Sequence, residues 1–259
     1  MNISSEKLKE FLDRKTGEYN RPSFIGIDPV SIPHLFTRPQ DIEIAGLFAA
    51  LFAWGNRTTI INKTKELMML MDNAPYAFCT GHSPAALRKL LQFKHRTFNP
   101  TDLLYCILFL QHHYSVHSSL ETAFTKGMDK TDETTEQALN GFHHYFFSLP
   151  DAPARTRKHI AAPEKNSTCK RLNMYLRWMV RRDKNGVDFG LWKKISPAQL
   201  VCPVDVHVAR VAKRFGLLHR NALDWQAALE LTAYLRTLDA KDPVKYDFAL
   251  FGLGAIEKF

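Results

Sequence analysis

The sequence has no apolar run long enough to cross a membrane. Its longest such run among the 259 residues is the eleven residues from Ile44 to Trp54, and a membrane-spanning helix needs about 18 or more. The first twenty residues mix acidic and basic side chains and contain no continuous apolar stretch, so no secretory signal is expected. These absences predict a cytoplasmic protein that does not act at membranes.

Cysteine is scarce, and the four residues that occur are widely spaced. They lie at positions 79, 106, 169 and 202, which excludes a disulfide framework and the Cys-x-x-Cys spacings of zinc ribbons and ferredoxin-like clusters. His113 and His117 could share one face of a helix, but the glutamate of a zinc protease is absent between them, and we interpret both as ordinary surface or partly buried histidines. We expect no bound metal.

Glycine-rich nucleotide loops are also absent, and no segment alternates as a strand would. The sequence therefore predicts an all-α protein without a nucleotide cofactor. The run from Ile44 to Trp54 is expected to be a central core helix. Apolar periodicity and capping residues predict helices over 5–15, 41–54, 58–72, 84–91, 100–117, 119–125, 134–147, 169–182, 206–215 and 225–239, with irregular segments over 21–39, 150–168 and 183–203.

The positive charge is concentrated in one part of the chain. Residues 155–194 contain twelve basic and three acidic residues, so this window alone carries the formal net charge of +9 and the remainder is balanced. Aromatic residues interleave with these bases, as they do in proteins that bind nucleic acids. A solvated charged face remains the simpler alternative.

The segment from Cys202 to Ala212 carries the most informative pattern. Asp205 follows Pro-Val and directly precedes an amphipathic helix, where a carboxylate can accept hydrogen bonds from free backbone N–H groups. A plain N-cap aspartate is the simplest interpretation of this position.

Three segments resemble the helix-hairpin-helix DNA glycosylases, the group that contains endonuclease III and the 8-oxoguanine DNA glycosylases. Pro203-Val-Asp-Val-His-Val is similar to their aspartate motif, and Lys170-Arg-Leu-Asn-Met-Tyr-Leu is similar to the lysine-bearing helix of their bifunctional members. Leu51 to Lys63 resembles their early helix and loop. As a whole, the chain is most similar to an uncharacterised bacterial family of unknown function at the border of this superfamily.

This resemblance implies a function and a set of site residues. Asp205 and Lys170 match the catalytic aspartate and the lysine nucleophile of a glycosylase that excises an oxidised base, 8-oxoguanine-like, from duplex DNA, possessing also a lyase activity. A catalytically inactive nucleic-acid-binding protein of the same fold is the alternative. The implied nucleic-acid contacts are Asn56, Arg57, Lys63, Arg171, Arg177, Arg181, His207 and Arg210, and the implied base pocket contains Trp54, Tyr175 and Trp178, although such aromatic residues more often belong to a core.

The resemblance also implies an architecture of two helical lobes with a cleft between them, in a monomeric protein. Residues 42–200 are expected to form a helical barrel, and residues 1–41 with 203–259 the second lobe. The chain departs from the family in lacking the Gly-x-Gly hairpin before Lys170 and the C-terminal four-cysteine cluster. We therefore expect no iron–sulfur centre, and the usual backbone grip on a phosphate is in doubt.

Overall fold

The structure is a computed structural model that describes residues 4–259. This part of the chain is all-α and contains no β-strand, as the sequence predicts. Short 3₁₀ turns connect the helices. The helices are α1 (Ser5–Tyr19), α2 (Pro22–Ile25), α3 (Pro39–Phe52), α4 (Arg57–Leu70), α5 (Pro75–Gly81), α6 (Pro84–Lys89), α7 (Pro100–Val116), α8 (Glu121–Thr125), α9 (Glu136–Phe146), α10 (Lys170–Val180), α11 (Val206–Arg214), α12 (Trp225–Leu238) and α13 (Asp247–Phe251).

Local capping by side chains explains where several helices begin. Ser4 caps α1 and Ser83 caps α6, each accepting a hydrogen bond from a backbone N–H of the first turn. Asn99 and Asp102 form a reciprocal capping box at the start of α7. These starts confirm the positions predicted from the sequence.

Proline begins helices that the sequence analysis did not predict. Pro75, three residues beyond the helix predicted over 58–72, is the first residue of α5, and Pro22 is the first residue of α2 within the segment expected to be irregular. A proline at the first helical position loses no hydrogen bond, because that N–H has no partner inside the helix. The same residue type therefore marks both the end of one helix and the start of the next.

Contacts between Cα atoms divide the chain into two compact units. The first unit contains the described residues up to Gly26, Asp129–Gln137 and Ala162–Phe259. In it, α13 packs against both α1 and α11. Its largest fully buried side chains are Tyr175, Trp178, Trp225 and Tyr246.

The second unit contains Ile27–Met128 and Ala138–Ala161. Its α3 is buried from Ile42 to Phe52 and packs against α4 and α5, which confirms the central core helix expected from the apolar run. The division into lobes expected from the sequence stays a prediction. None of the helices within residues 4–259 has the length and apolarity needed to cross a membrane.

Candidate active site

Asp205 lies at the N-cap of α11 in the first unit. Its Oδ1 accepts hydrogen bonds from the backbone N–H groups of His207 at 2.9 Å and Val208 at 3.0 Å. Two donors and the positive end of the helix dipole hold this carboxylate in one orientation. The interpretation of Asp205 as an N-cap is therefore confirmed, and its second oxygen, Oδ2, remains to be accounted for.

Lys170 faces that second oxygen. It is the first residue of α10, which follows a left-handed turn at Cys169 with φ of 51°. The Lys170 Nζ lies 3.9 Å from the Asp205 Oδ2. The structure therefore brings together the two residues that the resemblance pairs, from positions 35 apart in the sequence.

The two side chains are neither buried nor freely solvated, because 24% of the Lys170 side chain and 23% of the Asp205 side chain are exposed. An ion pair this long and this accessible contributes little to stability. The arrangement nevertheless offers a fixed carboxylate and a primary amine to a molecule that approaches from solvent. Such a pair can stabilise positive charge on a sugar and form an imine with a carbonyl or C1′ carbon.

A buried ion pair lies within electrostatic range of this pair. Arg177, two turns along α10, donates from Nη1 to Asp247 Oδ2 and from Nε to Asp188 Oδ1 at 3.3 Å. The pKa of the Asp247 carboxyl is raised from 3.8 to about 6, mainly because the group is buried. The negative charge of Asp205 also raises this pKa, whereas the positive charges of Arg177 and Lys170 lower it. Asp247 is thus a buried ionisable group whose charge interacts with both members of the Lys170–Asp205 pair.

Arg181 extends this buried network. Its guanidinium contacts the carboxylates of Asp188 at 3.0 Å, Asp183 at 2.8 Å and Asp242 at 2.9 Å. Burial opposes its charge, but Asp188 and Asp242 outweigh burial and raise the pKa of Arg181 above its ordinary value. Arg177 and Arg181 are 4% and 3% exposed, so neither occupies the open position that a phosphate contact requires.

The C-terminal turn fixes the start of α11. Gly252–Ile256 form one turn of π-helix, and a Cβ at Gly254 would lie 2.8 Å from the backbone oxygen of His207. Arg210 donates from Nη2 to the Gly254 oxygen at 2.7 Å and from Nε to the Phe259 oxygen at 3.1 Å. Arg210 therefore ties α11 to the C-terminus, whereas the sequence analysis assigned it to nucleic acid.

The remaining implied contacts of the first unit differ in their exposure. His207 is exposed on α11 and Arg171 is partly exposed on α10; burial lowers the pKa of Arg171 from 12.5. Tyr175 and Trp178 are completely buried. Their rings belong to the core in this structure, the alternative considered for them, and present no face to a flipped base.

Four implied residues lie in the second unit. Asn56 is exposed and caps α4 by accepting a hydrogen bond from the Thr59 N–H at 3.1 Å. Lys63 pairs with Glu66 at 2.7 Å, and Arg57 and Trp54 are partly exposed.

Cys169 and Cys202, the two cysteines of the first unit, do not offer a reactive thiol. Burial raises the pKa of the Cys169 thiol to about 12 and that of Cys202 well above its ordinary value, which keeps both protonated and unreactive. Within either unit taken by itself, the described residues bring no three His, Cys, Asp or Glu ligand atoms close enough to hold a metal ion.

A comparison with protein families decides where the chain belongs. The model of a family described as Protein of unknown function (DUF2400) matches residues 28–256. The chain belongs to the DUF2400 family. Searches of curated proteins and of solved structures found no match.

The DUF2400 match contains Lys170, Asp205, Asp247 and Gly254. The last two were missed by the sequence analysis. Asp247 lies 42 residues beyond Asp205 without a motif of its own, and its role depends on burial, which the sequence does not display. The Gly252-Leu-Gly254 spacing is a usable signal, because paired glycines indicate a close approach of backbone.

Proposed function

We propose that this DUF2400 protein is a DNA base-excision repair glycosylase with lyase activity, acting on an oxidised base such as 8-oxoguanine. The observation that supports this most is the distance of 3.9 Å between the Lys170 Nζ and the Asp205 Oδ2, with both side chains about a quarter exposed. The proposal includes the two-lobed architecture of the helix-hairpin-helix glycosylases and a monomeric protein in the cytoplasm.

Asp205 supplies the electrostatic part of the reaction. Cleavage of the N-glycosidic bond leaves positive charge on the sugar as the base departs with the bonding electron pair. A carboxylate that two backbone N–H groups hold in place stabilises this charge without reorganising. The N-cap geometry thus supports catalysis by keeping Oδ2 directed away from its own helix.

Lys170 supplies the nucleophile. Its amine, once deprotonated, attacks C1′ and forms a C1′–N bond while the C1′–base bond breaks; ring opening then gives an imine between the lysine and the sugar. Lys170 loses its ammonium proton to solvent, to which 24% of its side chain is exposed, so that Asp205 keeps its negative charge for the cleavage step. Borohydride donates hydride to this imine and converts it into a stable secondary amine that joins protein and DNA.

Binding of the duplex relies on exposed basic side chains rather than on the buried Arg177 and Arg181. Arg182 and Lys184 are exposed and lie in the basic window, which carries the whole net charge. Each phosphate that such residues neutralise adds about 0.9 to the slope of log affinity against log salt. A base must leave the stack to be excised, and its pocket is formed by side chains other than Tyr175 and Trp178.

The test is covalent trapping with borohydride on duplexes that contain 8-oxoguanine, an oxidised pyrimidine or an abasic site. Wild-type protein is expected to give an adduct and to release the damaged base. Lys170→Ala is expected to give none, and Asp205→Asn to slow the reaction by about 10²-fold, the range for loss of one electrostatic contact. Lys165→Ala is the matched control, because Lys165 is five residues away with 69% of its side chain exposed.

The duplexes that still carry a damaged base are the stricter substrates, because any accessible amine reacts slowly with an abasic site. An adduct that survives in Lys170→Ala, or that disappears equally in Lys165→Ala, contradicts the assignment of Lys170. The absence of both adduct and base release on every lesion, in duplex and single strands, contradicts the glycosylase. Retained binding to DNA in that case leaves the inactive nucleic-acid-binding protein.

A further inference from the structure

A tight turn in the second unit holds a strained arginine. His95 and Phe98 close the turn with two reciprocal backbone hydrogen bonds, each of 2.9 Å. His95 is 2% exposed, and its Nε2 donates to the Phe52 oxygen at 3.1 Å. The turn is thereby anchored to the last residue of α3.

Arg96 occupies the first central position of this turn with φ of +55°. Residues with a Cβ incur a steric penalty there, and glycine is the residue that such a turn normally takes. A non-glycine residue in this conformation carries a steric cost, which makes the Arg96 side chain a candidate for a functional contact.

The side chain of Arg96 lies across an aromatic ring. Its Cζ is 4.5 Å from the centroid of the Trp54 ring. A Cβ at Gly55, where φ is +103°, would lie 2.4 Å from the Arg96 Nη1. The positive φ favours glycine at position 55, and the absence of a Cβ there leaves room for the guanidinium across Trp54.

Stacking leaves the edge of the guanidinium available. The N–H groups of a stacked arginine lie in the guanidinium plane and point away from the ring beneath it. Arg96 is exposed, and it contacts the Trp54 ring but no carboxylate among residues 4–259. The structure thus fixes a cation in place and leaves its donors without an anion.

The surrounding sequence has the same sign of charge. Residues 88–97 contain four basic residues and no acidic one, and Lys94 is exposed two residues before Arg96. A planar, oriented fork of N–H donors in a positive environment is suited to the two oxygens of a phosphate.

We infer that Arg96, held across Trp54, binds a backbone phosphate of duplex nucleic acid. This inference rests on the DNA partner of the proposed function and adds a contact in a unit that contains neither Lys170 nor Asp205. Arg96 donates two hydrogen bonds to phosphate oxygens, and Trp54 and Gly55 are its positioning residues.

The test is the salt dependence of duplex binding by the full-length protein, measured by fluorescence anisotropy. Arg96→Ala is expected to lower the slope of log affinity against log salt by about 0.9, the value for one phosphate. Arg88→Ala is the matched control, because it removes the same charge from an exposed position of α6 in the same basic stretch. Its slope is expected to stay within about 0.3 of wild type.

Further arms separate the source of the phosphate and the role of the fork. Inorganic phosphate at millimolar concentration and constant ionic strength is expected not to displace the duplex. Arg96→Lys keeps the charge without the planar fork, and its affinity is expected to lie between those of wild type and Arg96→Ala. A loss confined to single-stranded oligonucleotides, or displacement by inorganic phosphate, contradicts the assignment to a duplex backbone.

Arg96→Gly separates binding from folding, because glycine adopts positive φ without strain. Its Tm is expected to stay within about 3 °C of wild type, while its slope falls as in Arg96→Ala. Equal slopes for wild type and Arg96→Ala, equal losses in Arg96→Ala and Arg88→Ala, or no duplex binding by wild type would each overturn the inference. An Arg96-dependent slope without a borohydride adduct would support it and reject the glycosylase.

Discussion

The two ends of α10 use basic side chains in different ways. Lys170, at its start, is about a quarter exposed and has one long ion pair with Asp205. Arg177 and Arg181, near and just beyond its end, are almost fully buried and contact four carboxylates between them: Asp183, Asp188, Asp242 and Asp247. All three basic residues come from the same positively charged window. Burial, not the local density of charge, therefore decides which of them is accessible to a ligand.

The difference has an energetic basis. A buried charge that loses its partner is costly, whereas an exposed pair contributes less than about 1 kcal/mol. The buried end should therefore govern stability, and the exposed end should be free to serve chemistry.

Arg177→Ala should cause the largest loss of stability. It leaves the buried carboxylates of Asp188 and Asp247 without the guanidinium between them, and breaking such a pair costs about 3–5 kcal/mol. Urea unfolding followed by circular dichroism measures the change. Lys184→Ala, which removes an exposed charge from the same window, should stay within about 0.5 kcal/mol of wild type, and similar losses in both variants would contradict the division.

Asp247 should make stability depend on pH. Burial raises its pKa in the folded state to about 6, above the 3.8 of an exposed carboxyl. The folded state therefore binds this proton more tightly, and the stability that Asp247 contributes is complete below about pH 4 and lost as the pH rises through 6. Relative to Asp247→Asn, the free energy of unfolding of wild type should fall by up to about 3 kcal/mol between pH 4 and 7.

The difference in the free energy of unfolding between wild type and Asp247→Asn excludes the contribution of the other carboxyl groups, because these titrate in both proteins. A difference that is constant with pH would show that Arg177 holds Asp247 ionised throughout this range. A difference that changes in the opposite direction would mean that Arg177 outweighs burial. Either result would show that burial does not raise the pKa of Asp247, so that the buried network would depend on pH no differently from an ordinary surface ion pair.

The parts of the fold that depend on neighbouring residues could be predicted from the sequence. The caps of α1, α6 and α7 are side-chain contacts within one turn, and Ile44–Phe52 is apolar on all sides and becomes part of a core helix. Pro75 shows the limit of this approach, because proline ends one helix and begins another with equal ease. The short α13 has five residues and depends on its packing against α1 and α11.

The candidate site divides in the same way. The N-cap role of Asp205 follows from its place before an amphipathic helix, and the pairing with Lys170 came from a resemblance that named both residues. The burial of Arg177 and Arg181 could not be predicted, because Asp242 and Asp247, two of their partners, lie more than 60 residues away in the sequence. The fixed position of Arg96 depends on a backbone angle that sequence patterns do not report.

Gly254→Ala tests whether the C-terminal turn holds the exposed end in place. The added Cβ would lie 2.8 Å from the His207 oxygen and 3.0 Å from its carbonyl carbon, and overpacking against backbone costs about 1–3 kcal/mol. Gly17→Ala is the control within α1, because its Cβ would meet nothing within 4 Å. That variant should gain about 0.5–1 kcal/mol.

The Cβ added at Gly254 should displace the backbone of His207, and this displacement should reach Asp205, which accepts a hydrogen bond from the His207 N–H. Gly254→Ala should therefore slow borohydride trapping in wild type but have little further effect in Asp205→Ala, and Gly17→Ala should have none in either. Additive effects of Gly254→Ala and Asp205→Ala would show that the turn supports the fold without positioning the carboxylate.

Asp205 itself gives the smallest change in stability and the clearest separation of structure from chemistry. Asp205→Ala removes the cap of α11 and should cost about 1 kcal/mol, while Asp205→Asn keeps an acceptor oxygen for His207 and Val208 and should be nearly neutral. If Asp205 were only a cap, the asparagine variant would react like wild type. The proposed chemistry needs the negative charge, so both variants should trap DNA slowly and differ in unfolding alone. Asp224 caps α12 in the same unit by accepting from the Ala227 N–H, and Asp224→Asn should leave trapping unchanged, since a cap without a facing amine has no part in the reaction.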